Sequence, residues 1–113
     1  MRSAAAALAA LAFAGGNAPP PSRVQVSAKE FYFVLSRHTL RPGPAIVELV
    51  DFGEDPHDLR LQRVGARHIA GTPEVQPGGY VDLNVTLVRG TYRLWCSIAN
   101  HRQLGMQATL AVR

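Results

Sequence analysis

The chain has little of what several function classes require. It has a single cysteine, Cys96, so no internal disulfide can form. It has one lysine, Lys29, and its arginines stand singly at positions such as Arg37, Arg60, Arg67 and Arg93, so the net charge of +4 does not gather into a nucleic-acid footprint. Charged residues make up only 18% of the sequence and hydrophobic ones 47%, a balance that excludes a disordered chain and predicts a compact fold. No apolar run approaches the ~20 residues that a transmembrane helix needs. At 113 residues there is room for one domain with one core.

What is present begins with an export pattern. Arg2 precedes an apolar stretch, Ala4 to Ala14, that ends in the small-x-small triplet Ala12-Phe13-Ala14. Residues 1–14 are expected to be a signal cleaved after Ala14, and residues 15–22, rich in Gly and Pro, an extended leader. The folded domain is expected over 23–113, in a periplasmic or extracellular location. In an oxidising compartment an unpaired thiol needs a dedicated partner, which directs attention to what could occupy the sulfur of Cys96.

From Arg23 onward the apolar residues recur with period two in short segments, and no amphipathic helix of useful length appears. Val81, Leu83, Val85 and Leu87 alternate with Tyr80, Asp82, Asn84 and Thr86, and Met106, Ala108, Leu110 and Val112 alternate with Gln107, Thr109 and Ala111. Leu59 and Leu61 alternate with Asp58, Arg60 and Gln62. Further strands are expected at Val24 to Ser27, Phe31 to Leu35, Ala45 to Val50 and Thr91 to Cys96. Turns are expected at Arg41-Pro42-Gly43-Pro44, Gly53-Glu54-Asp55-Pro56, Pro77-Gly78-Gly79 and Arg89-Gly90. Val64 to Gln76 is the least periodic stretch and reads as a loop with room for one helical turn. Seven to eight short strands with this punctuation point to an all-β sandwich or small barrel.

The last two segments carry the chemistry. Cys96, His101 and Met106 have the spacing C-x4-H-x4-M. Strand parity turns Tyr92, Leu94 and Cys96 inward, and Met106 opens the inward set of the next strand, so both sulfurs point into the same end of the fold, with His101 on the loop between them. A thiolate, an imidazole and a thioether form a soft donor set that suits copper better than calcium or magnesium. A trigonal copper site wants a second imidazole. His57, after a Gly-containing turn and at the head of an alternating strand, is the natural candidate. His38 and His68 have no such partners and read as surface residues, with His68 a distant candidate for a weak metal contact.

These pieces, Pro56-His57-Asp58 after its turn, Pro77-Gly78-Gly79 before an alternating strand, Gly90-Thr91-Tyr92, and the loop from Cys96 through His101 to Gly105-Met106, resemble the cupredoxin family of blue, type 1 copper proteins over about Val24 to Arg113. The loop length is similar to that of rusticyanin-like and sulfocyanin-like proteins. The resemblance implies a Greek-key β-sandwich holding one copper ion, with His57, Cys96 and His101 equatorial and Met106 axial. It implies a monomeric electron carrier and no enzyme, whose redox partner proteins dock near His101. The alternative is a periplasmic copper carrier or sequestration protein using the same site. Where many members of the family have Asn after the first histidine ligand, this chain has Asp58, whose carboxylate is expected to accept a hydrogen bond from Ser97 and to place negative charge near the site.

Overall fold

Short inward-facing apolar runs can bury their faces only by pairing into sheets and stacking them, and the chain does this twice. The computed structural model describes residues 18–113. The expected signal at 1–14, and the leader as far as residue 17, lie outside the described residues. The strands are β1 (Ser22–Lys29), β2 (Tyr32–Leu35), β3 (Thr39–Leu40), β4 (Gly43–Asp51), β5 (Arg60–Arg63), β6 (Ala70–Gly71), β7 (Tyr80–Leu87), β8 (Gly90–Trp95) and β9 (Gln107–Val112). One sheet runs β2-β1-β4-β7 and the other β3-β9-β8-β5-β6. Within them β1 pairs with β4, and β3 with β9, in parallel, while the other pairs are antiparallel. The chain is thus an all-β sandwich of two mixed sheets.

The inward faces meet in one core. Val24, Val26 and Ala28 of β1 and Ala45, Val47 and Leu49 of β4 are buried side by side, because the register sets Val24 against Val47 and Val26 against Leu49. Across from them lie Leu61, Tyr92, Leu94, Leu110 and Val112 of the other sheet. Each buried side chain of this size contributes about 1.5–3 kcal/mol through removal from water. The alternation expected in β7 is present with the same bounds, yet Val81, Leu83 and Val85 are only half-buried, since β7 is the edge of its sheet and has a neighbour on one side alone.

Two differences from the sequence reading have physical causes. The described residues form nine strands; β3 and β6 have two residues each, too few to display any periodicity. Between Val64 and Gln76 there is no helical turn: β6 pairs there with β5, and Val75 bridges to His57, so tertiary pairing claims backbone groups that a local turn would otherwise use.

The site end of the sandwich is built by the turn joining β1 to β2, the β4–β5 loop and the β8–β9 loop. A buried carboxyl, Asp51, closes β4 there. Its backbone bonds to Gly78 and Gly79, and one carboxyl oxygen accepts the Gly53 N–H at 2.8 Å, while Oδ2 is buried without a partner. Burial pushes this carboxyl above its ordinary 3.8, against the pull of the Gly53 N–H and of His57. A raised folded-state value means that the contribution of Asp51 to stability is complete at low pH and is lost as pH rises through that value. Asp51→Asn, which does not titrate, should therefore gain on the wild type as pH rises from the ordinary carboxylate range near 4 toward neutrality. Urea denaturation of both proteins across that range checks this, and a constant difference would contradict it.

Candidate metal centre

Of the four residues singled out from sequence, Cys96 and Met106 sit just outside strand ends, while His57 and His101 lie on the loops at the same end of the sandwich. Cys96 follows β8, Met106 precedes β9, and their main chains are tied by the Cys96 N–H to the Met106 carbonyl at 3.2 Å. His101 lies on the intervening loop. Its carbonyl accepts the N–H groups of Met106 and Leu104, both at 3.1 Å, which curls the loop back on itself. Gly105, at φ 122°, makes the last bend in a conformation that L side chains rarely adopt. His57 is clamped through its main chain to Val75, with bonds of 3.0 and 2.7 Å in the two directions.

The side chains converge. His57, Cys96 and His101 place one ligand atom each within 4.8 Å of one another, and all three are buried. Met106 is buried at the same core end, beside the Cys96 backbone. The Cys96 sulfur lies 3.6 Å from His101 Nδ1. With metal–sulfur and metal–nitrogen distances of about 2.3 and 2.0 Å, a trigonal angle of about 120° separates the two donors by about 3.7 Å. The spacing fits two donors of a shared ion.

His57 supplies the sharper observation. Its ring is fully buried; Nε2 donates to the Glu30 carboxylate at 2.7 Å, and Nδ1 has no hydrogen-bond partner at all. A buried nitrogen lone pair without a donor is costly in a folded protein unless something else takes it. The donor set, one thiol, two imidazoles and a nearby thioether, is that of a soft, first-row transition ion.

The surroundings hold this arrangement. Asp58, buried at 4% exposure, accepts the Ser97 N–H at 2.6 Å and the Ser97 hydroxyl at 2.5 Å, and so ties the His57 loop to the Cys96 loop as expected from sequence. Arg60 approaches the same carboxylate at 3.3 Å. Two contributors were not legible in the sequence. Glu30 is held below the usual carboxylate range first by the Glu54 backbone N–H and then by His57, which keeps it ionised. Phe31 packs its ring 4.7 Å from that of His101 and edge-on to His57 at 6.4 Å. Both stand on the β1–β2 turn, and only the approach of that turn to the β4–β5 loop gives them a role. Trp95 is half-buried, with the Arg102 guanidinium 4.5 Å above its ring. His38 and His68 are exposed, and neither joins a group of three or more charged or thiol ligands among the described residues.

No family model matches the chain, and no curated protein matches it in sequence. Its fold does match solved structures. A reduced auracyanin from the photosynthetic bacterium Roseiflexus castenholzii superposes with a TM-score of 0.67 at 16% identity, over 84% of this chain and 99% of that one. Auracyanin A, a "blue" copper protein from Chloroflexus aurantiacus, gives 0.65 at 16% identity, over 83% and 100%. A multicopper oxidase gives 0.59 at 17% identity, over 80% of this chain and 41% of that one. The fold is cupredoxin-like, and at these identities the likeness speaks for fold alone.

Burial pushes the Cys96 thiol above its ordinary value of 9.0, only partly offset by nearby backbone N–H groups, so the metal-free protein carries a proton on sulfur at neutral pH. An ion bound by the thiolate must displace it. Titrating the metal-free protein with Cu(I) in the presence of a competing chelator should show affinity rising up to about tenfold per pH unit between about pH 7 and 9, with one proton released per ion. Affinity independent of pH in that range would exclude the thiolate as a ligand.

Proposed function

We propose that this chain is a mononuclear blue-copper electron carrier of the cupredoxin family, holding one ion between His57 Nδ1, Cys96 Sγ and His101 Nδ1, with Met106 as a weak axial ligand. The observation that carries the reading is the orphaned, buried Nδ1 of His57, on a ring that brings a nitrogen within 4.8 Å of ligand atoms of Cys96 and His101. Copper bound there supplies one-electron exchange between Cu(I) and Cu(II).

The chain's own residues make that exchange easy by staying still. His57 is clamped by Val75 and Glu30, Cys96 and Met106 by the β8–β9 pairing, and the two ligand loops by Asp58 and Ser97. A donor set held in place in both oxidation states loses little energy to rearrangement. His101 is the most exposed of the ligands, at 7%, with the half-buried ring of Phe31 4.7 Å away and half-buried Ile98 and exposed Leu104 bonded to its main chain. These apolar neighbours support docking of redox partner proteins near His101.

With all four positions occupied by protein donors there is no vacant coordination site for a substrate, which supports a carrier over an enzyme. The likeness to part of a multicopper oxidase does not separate the two, because fold does not fix function. Burial of all four ligands also weighs against the alternative of a carrier that releases copper readily. The length of the Cys96–Met106 loop is similar to that of rusticyanin-like and sulfocyanin-like proteins, and the reading of residues 1–14 as a signal supports export. Among the described residues no helix is long and apolar enough to cross a membrane.

Adding Cu(II) to the metal-free protein should produce intense visible absorption from the copper–thiolate bond. Cys96→Ser should abolish that absorption, since no other cysteine can replace it; a mutant that remains intensely coloured would refute the assignment. Met106→Leu should keep copper bound and raise the reduction potential by removing sulfur donation to Cu(II), as voltammetry would show. Complete loss of copper by this variant would mean that Met106 is more than a weak axial ligand.

A further inference from the structure

Glu30 stands in an unusual position for a surface-turn residue. Its side chain is 24% exposed, and both carboxylate oxygens are engaged: Oε1 accepts the Glu54 N–H at 2.5 Å, and Oε2 accepts His57 Nε2–H at 2.7 Å. Room for the carboxylate exists because residue 53 is glycine. A Cβ built there would collide with Oε2, so a larger residue at 53 would push the carboxylate out of its place. Three separate features therefore fit one another: a glycine that leaves a gap, a carboxylate that fills it, and a buried imidazole whose other nitrogen has no partner.

A neutral imidazole carries one proton, and the nitrogen that keeps it cannot bind a metal. An acceptor fixed at Nε2 holds the proton there and leaves the Nδ1 lone pair free. We propose that Glu30 is the positioning residue of the metal centre: it locks His57 in the Nε2–H tautomer with Nδ1 aimed at the ion, and its charge, one imidazole away, favours Cu(II) over Cu(I). The second half rests on the copper reading, whereas the first does not require a metal. The sign of the charge effect follows from Coulomb's law, because the oxidised ion carries the extra positive charge. Glutamine does not substitute faithfully. It offers one oxygen where the wild type offers two, and two N–H groups must be accepted, so its NH2 group would face either Glu54 N–H or His57.

The experiment compares wild type, Glu30→Gln, Glu30→Ala and Gly53→Ala, each first verified as folded by circular dichroism. Long-range 15N–1H NMR of the metal-free proteins reads the tautomer of His57, and competition with chelators reads the affinities for Cu(I) and Cu(II). A single Nε2–H tautomer is expected in the wild type and a mixture in the variants, with Cu(II) affinity reduced 10–100-fold. Cu(I) affinity should fall less, and each tenfold drop in the ratio of Cu(II) to Cu(I) affinity corresponds to about 59 mV in potential. Gly53→Ala, which leaves Glu30 in place but displaces its carboxylate, should behave like Glu30→Ala. A wild-type Nδ1–H tautomer, or variants whose tautomer is unchanged, would overturn the lock. Equal losses for the two oxidation states would overturn the charge effect. A wild type that shows the Nε2–H tautomer but binds no copper would support the lock while refuting the copper reading, so the two failures are distinguishable.

Discussion

One imidazole, buried with a single protein partner, organises the end of this molecule. The ring of His57 has two nitrogens and no access to water; Glu30 satisfies one and the other is left open. An unsatisfied buried lone pair costs about 1–3 kcal/mol, and a fold carries such a cost where a function takes it up. The same ring brings a nitrogen within 4.8 Å of ligand atoms of Cys96 and His101, so the open nitrogen belongs to a residue of a converging donor cluster.

The supports of this corner come from three places far apart in the chain. Glu30 lies at the β1–β2 turn, Gly53 and Glu54 in the β4–β5 loop, and Val75 on the segment before β7. Asp58 adds the link from the His57 loop to Ser97 beside Cys96. Carboxylates therefore surround the site in different states. Glu30 is held ionised by the donors it accepts, whereas Asp51 is pushed toward its neutral form by burial. Negative charge is placed where N–H donors stabilise it, and the carboxyl that is left with one unpartnered oxygen is the one whose ionisation is resisted.

Strand parity does the remaining positioning. Tyr92, Leu94 and Cys96 face inward from β8 and its continuation, and Met106, Leu110 and Val112 from β9 and its start, so the two sulfur residues extend the core directly into the site. The apolar packing that stabilises the sandwich is thus continuous with the wall that keeps water from the donors. Of the four donor residues only His101 keeps measurable exposure, at 7%, and the half-buried ring of Phe31 packs 4.7 Å from it.

The all-β class, most of the strands and the residues Cys96, His101, Met106 and His57 were legible in the amino-acid order, because period-two alternation and short ligand spacings are local properties that survive without coordinates. Asp58 and its bond to Ser97 were legible too, through their adjacency to His57 and Cys96. The two-residue strands β3 and β6 were not, since two residues carry no period and only a neighbouring strand defines them. Nor was the hold of Glu30 on His57, nor the packing of Phe31 on both histidines: 27 positions separate Glu30 from its partner, and the contact exists only because the β1–β2 turn and the β4–β5 loop fold onto the same end of the sandwich. The sequence by itself determined which donors are available and which way they face along their strands; the tertiary structure decided which nitrogen of His57 remains open, because that depends on where a distant carboxylate comes to rest.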